Sequence, residues 1–355
     1  MPEADPLVTD DAPRIFDDGS LAAVAEPPEG EKHHRRPARP SWGSEILSRY
    51  ALIVVWVAMA GYFAVRMPDT FLTHGSFSSI FGSQQVLVFL AMSVMVTLVV
   101  GEFDLSVASV MGLSATIVPV MAGVHGWNIW VACLAGLGAA MLAGVVNAFF
   151  VVILDVSSFV VTLGMGTLLI GISQWISNQT IVSVNDPSLS KLSIYPIFGM
   201  PVSFYYGIAL ALVVAYILAF TPLGRSMIFV GANREVARLA GIRVQRIRFG
   251  AYIFGALLSG LAGVILVATL GGADSSTTMA YLLPALAAVF LGTAVVHPGS
   301  FNPIGTMVAI YFLQTGIFGL QLLGAKGWIT NVFYGAGLVI AVAVAKLVRD
   351  RSTRA

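Results

Sequence analysis

Two carboxylates, Glu102 and Asp104, stand two residues apart in Gly101-Glu102-Phe103-Asp104-Leu105-Ser106, between two apolar runs. At the centre of a bilayer an ionisable group is costly, and its presence points to a proton or cation relay. In a turn at the membrane surface the same residues are structural, with Asp104 or Ser106 capping the helix that follows. Capping that also shapes the helix break is the expectation for Asp104. A second polar set lies inside neighbouring apolar runs. It comprises Asn147, and the segment Phe159-Val160-Val161-Thr162-Leu163-Gly164. Such polar side chains either hydrogen-bond to an adjacent helix or line a solute path, and the sequence leaves both open.

Residues 222–248 carry Arg225, Arg234, Arg238, Arg243, Arg246 and Arg248 against the single acid Glu235. Arginine at the bilayer centre costs ~2.5–3.5 kcal/mol, so all six are expected in the cytoplasm or on the membrane surface. Within this loop Asn233 can cap a short helix, and Gly241 can end it. Val236, Leu239 and Ala240 would share one face and Arg234 and Arg238 another, with Glu235 in reach of Arg238. A bare orientation signal, attracted to anionic lipid at ~1 kcal/mol per arginine, is the simpler use of such charge. A capped amphipathic helix exceeds that need and suggests docking into the groove of a cytoplasmic partner.

Other chemistry is excluded. None of Lys32, Lys191, Lys326 and Lys346 follows a glycine and precedes Ser or Thr, so no P-loop exists in the chain. No H-E-x-x-H and no G-x-S-x-G occurs. Cys133 is the only cysteine, which rules out a disulfide within the chain or a cysteine metal site. No catalytic residue, metal site or cofactor of its own is therefore assigned, and the chain is not expected to be an enzyme. A net charge of +1 gives no nucleic-acid signal.

The elements that must position these residues are membrane helices. Of 355 residues 57% are hydrophobic and 10% charged, where soluble domains carry about 25% charged residues. Ten of the 18 carboxylates precede residue 46. Residues 1–45, acidic to Glu31 and then basic, are expected to form a disordered cytoplasmic tail. A hydrocarbon core of ~30 Å needs about 20 apolar residues per helix. Ten runs meet this: 47–65, 86–101, 105–122, 128–153, 158–176, 203–221, 247–270, 280–296, 302–323 and 329–347. The fold expected is all-α and polytopic, with a membrane domain over 46–347 and a cytoplasmic tail over 348–355. Basic residues flank both ends and fill the loop between runs six and seven, which puts both termini and that loop in the cytoplasm. Runs two to five start outside and runs seven to ten inside, as an inverted repeat would. Gly101–Ser106 and His297–Asn302 are short breaks, one in each half. Glycines inside the runs would let helices approach closely.

Four segments resemble a known family. Gly101–Ser114 is similar to the G-G-x-D-L-S-V-G-S segment of sugar-type ABC importer permeases, the ribose, xylose and galactose group. Gly144–Gly171 resembles that family's G-x-x-N-G and F-I-V-T-L-G-T run, Gly231–Ile265 its coupling-helix segment, and Gly316–Gly324 its N-G-L-N-L-L-G stretch. The likeness runs in order from about residue 85 to 345. Glu102, Ala108 and Ala148 replace glycines of the pattern, and His297–Asn302 stands where many members have a Gly-Gly-x-Gly-Ser run. The resemblance implies a permease subunit of the bacterial inner membrane, paired with a second permease chain. A cytoplasmic ATPase, which binds ATP and Mg, would dock on Asn233, Arg234, Glu235, Ala237, Arg238, Leu239, Gly241 and Ile242. A periplasmic binding protein would deliver a sugar, polyol or nucleoside. Asp104, Ser106, Asn147, Phe159, Thr162 and Gly164 are the candidates for the pathway. The alternative is a secondary transporter coupled to protons or sodium through Glu102 and Asp104.

Overall fold

The computed structural model of the chain describes residues 42–272 and 275–352. The expected N-terminal tail falls outside the described residues as far as residue 41. Trp42 already opens the first helix.

Helices follow in the order α1 (Trp42–Arg66), α2 (Pro68–Phe71), α3 (His74–Phe81), α4 (Gln85–Val99), α5 (Val107–Pro119), α6 (Ile129–Ala148) and α7 (Ser158–Ile176). After α8 (Pro187–Ile194) and a two-stranded hairpin, β1 (Pro196–Ile197) and β2 (Met200–Pro201), come α9 (Val202–Phe220), α10 (Pro222–Ala232), α11 (Arg234–Leu239) and α12 (Val244–Leu270). Helices α13 (Ser275–Thr278), α14 (Leu282–Gly292), α15 (Pro303–Leu322) and α16 (Trp328–Ser352) complete the chain. Single π-helical turns continue α5 to Val124 and α6 to Ile153.

Seven helical segments are long and apolar enough to cross a membrane: His74–Val99, Val107–Val124, Ile129–Ile153, Ser158–Ile176, Val202–Phe220, Val244–Leu270 and Pro303–Leu322. Three shorter apolar helices, Tyr50–Arg66, Ser276–Gly292 and Trp328–Ala343, accompany them. Apolar helices thus occupy all ten predicted positions, and the chain is an all-α polytopic membrane protein. Several short elements were not expected. Serines at 76, 78 and 79 dilute the hydropathy of α3, yet Thr73 caps it by accepting a hydrogen bond from Ser76 N. The segment 177–202 holds α8, capped by Asp186, and the β1–β2 hairpin.

Helix α4 is the centre of the bundle, and every one of its residues from Gln85 to Val99 is buried. It packs against α12. Small residues and serines make that contact, with Ser93 Oγ donating to Gly255 O at 2.7 Å and lying 2.8 Å from Ser259 Oγ. Gly260 of α12 faces Ala140 of α6, and Gly263 faces Met111 of α5, so closely that a Cβ would clash at either site. These contacts carry the expectation for glycine. Gly61, Gly138, Gly164 and Gly335 do not share it, because nothing lies within 4 Å of where their Cβ would be.

Neighbour relations repeat between the halves. Helix α5 packs on α12 and carries α6 and α7, while α14 packs on α4 and carries α15 and α16. This exchange of neighbours is what an internal repeat, inverted or parallel, produces. The two breaks are not its equivalents, however. Gly101–Ser106 follows the first helix of its half, and the break before Asn302 follows the second helix of its own.

Candidate functional site

The basic segment begins with α10, whose N-cap Thr221 accepts from Gly224 N at 3.1 Å. Asn233 then turns to extended backbone, φ −159°, and its Oδ1 accepts from Glu235 N at 3.0 Å and Val236 N at 3.1 Å. That cap starts α11. Gly241, at φ +79°, ends it. Gly241 N donates to Arg238 O and Ile242 N to Ala237 O, both at 3.0 Å. These two bonds are the Schellman closure that a left-handed glycine permits.

The short helix presents an apolar face to the outside. Leu239 is 84% and Val236 46% exposed, and Ala240 beside them is exposed too. Ala237 is fully buried and seats the helix on the bundle. Ile242 is half-buried. Glu235 and Arg238 lie 3.6 Å apart in the open, where such a pair is worth at most about 1 kcal/mol.

Arg234 does not share the outer role of Arg238. Its Nη2 donates to Gly101 O at 3.0 Å and to Glu102 Oε1 at 2.8 Å. Nor is Arg248 exposed to solvent. It is buried in α12, where its Nε donates to the same Glu102 oxygen at 2.6 Å and its Nη2 to Val151 O at 3.4 Å. Arg248 is thus buried within the protein, although the exposed Asp155 Oδ1 lies 4.0 Å from its Nη1. The cause is Glu102, itself 2% exposed, which supplies the counter-charge that makes burial tolerable. Beside this pair a cleft of about 740 Å³ is lined by Arg234, Arg238, Arg243, Arg246 and Arg248, offset only by Asp155 and Glu235.

Glu102 belongs to the break between α4 and α5. Gly101, at φ +77°, closes α4 as Gly241 closes α11, with Glu102 N donating to Thr97 O at 3.0 Å. Beyond it Asp104 Oδ1 accepts from Ser106 N at 2.9 Å and Ser106 Oγ at 2.6 Å. Asp104 thus stabilises the start of α5, and Ser106 is held by it. Burial pushes the Asp104 carboxyl above its ordinary value, and the two bonds from Ser106 oppose that rise. Asn147 Nδ2 donates to Ser106 Oγ at 2.8 Å, while Asn147 Oδ1, also buried, has no partner. From α7, Thr162 Oγ1 accepts from Leu105 N at 3.1 Å and Ser158 Oγ from Phe103 N at 3.4 Å.

Four of the predicted pathway residues, Asp104, Ser106, Asn147 and Thr162, therefore meet in one buried network. Phe159 and Gly164 do not. Phe159 is 54% exposed and Gly164 has open space around it. Gly166 is the glycine of α7 that faces Ser106 and Ser109. Sequence reasoning missed Ser158, Arg248 and Gly231, the last of which packs against Val99 O at the end of α4. A signal existed for Arg248: an acid in a chain so poor in them must find a cation.

Residues 76–342 match a family described as branched-chain amino acid transport system / permease component. Among curated proteins, a probable ABC transporter permease, y4mJ of Sinorhizobium fredii, is 28% identical over 79% of this chain and 84% of its own length. The autoinducer 2 import system permease LsrC of Salmonella paratyphi B is 29% identical over 82% of this chain and 84% of its own. The L-arabinose ABC transporter permease AraH of Azospirillum brasilense is 26% identical over 86% and 90%. No solved structure matches.

Proposed function

The chain belongs to the branched-chain amino acid transport system / permease component family, and we propose that it is the membrane subunit of an ATP-driven importer for a sugar or sugar-like solute. Its nature as a permease of the ABC-importer kind follows from the family and from relatives that carry that name. The class of solute is supported by the relatives named for autoinducer 2 and L-arabinose.

One observation carries the mechanism: α11 is capped at both ends, seated by Ala237, and turns Val236 and Leu239 outward. Exposed leucine beside a rim of arginines fits a hydrophobic groove with an acidic border. On this proposal a cytoplasmic ABC ATPase binds there and holds the ATP and Mg. Asn233 and Gly241 fix the ends of the element. Arg238, Glu235, Leu239 and Ile242 lie toward the partner, and Arg234 faces back into the bundle. ATP binding draws two such docking helices together, in this chain and in a second permease chain, and the path between the chains changes its open side. A binding protein supplies the solute from the periplasm. This arrangement puts the chain in the bacterial inner membrane with both termini in the cytoplasm. Asp104, Ser106, Asn147 and Thr162 form the polar element nearest the moving segment, and Asn147 Oδ1 is free to accept a bond when the break shifts.

The test is uptake of labelled L-arabinose, D-ribose and autoinducer 2 by cells that make the chain, against a strain that lacks it. Uptake of at least one solute should persist when a protonophore collapses the ion gradients and ATP is maintained. Loss of uptake under those conditions would return the ion-coupled alternative, with Asp104 as its titrating group. Uptake of none of the three would remove the sugar assignment.

A further inference from the structure

Among the described residues, Glu102 is the acid that touches both ends of the docking segment. Arg234 is the first residue of α11, and Arg248 lies in the early turns of α12. Both guanidinium groups reach one carboxylate oxygen, at 2.8 and 2.6 Å. Neutralising Glu102 would need only Arg248, which is as deeply buried as the acid itself. Arg234, 41% exposed, is in excess of that need. Its Nη2 also bonds Gly101 O, so it grips the break by backbone and side chain together.

The far side of the same break is fastened elsewhere. Phe103 N and Leu105 N donate to the hydroxyls of Ser158 and Thr162 on α7, and Ser106 is held by Asn147 of α6. The Phe103 ring stacks on Phe290 of α14, with centroids 6.4 Å apart, and Phe290 meets Phe301 of the second break at 5.8 Å. A displacement of α11 therefore reaches α6, α7 and α14 through a connector of six residues. Small shifts at an effector site become larger ones where such packed contacts have two discrete arrangements.

We infer that Glu102 is the positioning residue that transmits movement of the docking helix to the α4–α5 break, with Arg234 as its link to α11 and Arg248 as its fixed anchor. The inference rests on the docking role proposed for α11. It assigns to Arg234 a task distinct from binding the partner, since its side chain points into the bundle while Val236 and Leu239 point out.

Hydrogen–deuterium exchange on the full chain, isolated from native membranes in mild detergent with its co-purifying ATPase, tests this. The nucleotide state is set with ATP and vanadate. Exchange is followed in peptides spanning residues 97–107 and 233–243, because the amides of Phe103, Leu105 and Ser106 all end on side chains that the break would release. In the wild type both peptides should change with nucleotide. In Arg234→Gln, which keeps the buried Glu102–Arg248 pair intact, residues 233–243 should still respond and residues 97–107 should lose their response. Glu102→Gln should behave alike where it folds, and Arg234→Gln decides where it does not. A response at 97–107 that survives Arg234→Gln at wild-type size overturns the inference, as does a wild-type break that ignores nucleotide while the docking segment responds. Absence of any ATPase from the wild-type preparation is a different failure: it overturns the docking role of α11, and the inference with it.

Discussion

The two breaks in the bundle, residues 100–106 and 293–302, are of opposite character. Between α4 and α5, the residues Gly101–Ser106 receive side chains from α6, α7, α11 and α12. Among the described residues, the hydrogen bonds of the segment between α14 and α15 stay within residues 290–306. Asn302 Nδ2 donates to the carbonyls of Gly292, Val295 and Ser300, and its Oδ1 accepts from Gly305 N. Ser300 Oγ returns to His297 O. The second break is a self-contained turn that one asparagine organises. The first is a junction, and it is where a local change has distant consequences. A cleft of about 720 Å³ beside the second break, lined by Tyr216, Phe220 and Phe301, leaves that turn open to its surroundings.

The largest expected effect of breaking this contrast is at Glu102. Glu102→Ala removes the carboxylate bonded to Arg248 and leaves it only the exposed Asp155, 4.0 Å away; it should cost about 3 kcal/mol, read as a fall in the thermal midpoint in detergent. Asn302→Ala should cost less, about 2 kcal/mol for a buried helix cap, and its disturbance should stay within residues 292–305 in an exchange map. Asn233→Ala removes an exposed cap and should cost about 1 kcal/mol, visible as faster exchange of the Glu235 and Val236 amides with little change in melting. Smallest is Asp104→Asn. Burial already favours the uncharged carboxyl, and the amide oxygen can accept from Ser106, so the thermal midpoint should shift by less than the equivalent of about 1 kcal/mol. Asp104→Ala, which removes the acceptor, should shift it more.

Much of the architecture was legible because helix length and hydropathy are local properties. All ten apolar positions and the cap-and-glycine frame of α11 could be read from single windows of sequence. Burial was harder. Helix α4 is apolar all round and central, while α9 is equally apolar and mostly faces outward. Composition does not separate a protein interior from lipid, since both accept the same side chains. The polar network was legible as a list but not as a contact. Asn147 and Ser106 are 41 residues apart in sequence, and only their shared setting in apolar runs hinted that they meet. The pairing of Glu102 with Arg248, across 146 residues, had a hint in charge scarcity. Phe159 and Gly164 are not part of the network although they lie close to Thr162 in sequence: Gly164 is about 160° round α7 from Thr162, because a helix turns about 100° per residue, and the exposed Phe159 stands in its first turn.

The most direct measurement is affinity purification of the tagged chain from native membranes, wild type beside Leu239→Glu and Asn302→Ala, with co-purifying proteins identified by mass spectrometry. Leu239 is 84% exposed, so a charge there leaves the bundle intact and spoils only the outer face of α11. A P-loop ATPase should accompany the wild type and Asn302→Ala and be lost from Leu239→Glu. An ATPase that stays bound to Leu239→Glu, or that never accompanies the folded wild type, would contradict the assignment of α11 as the docking helix.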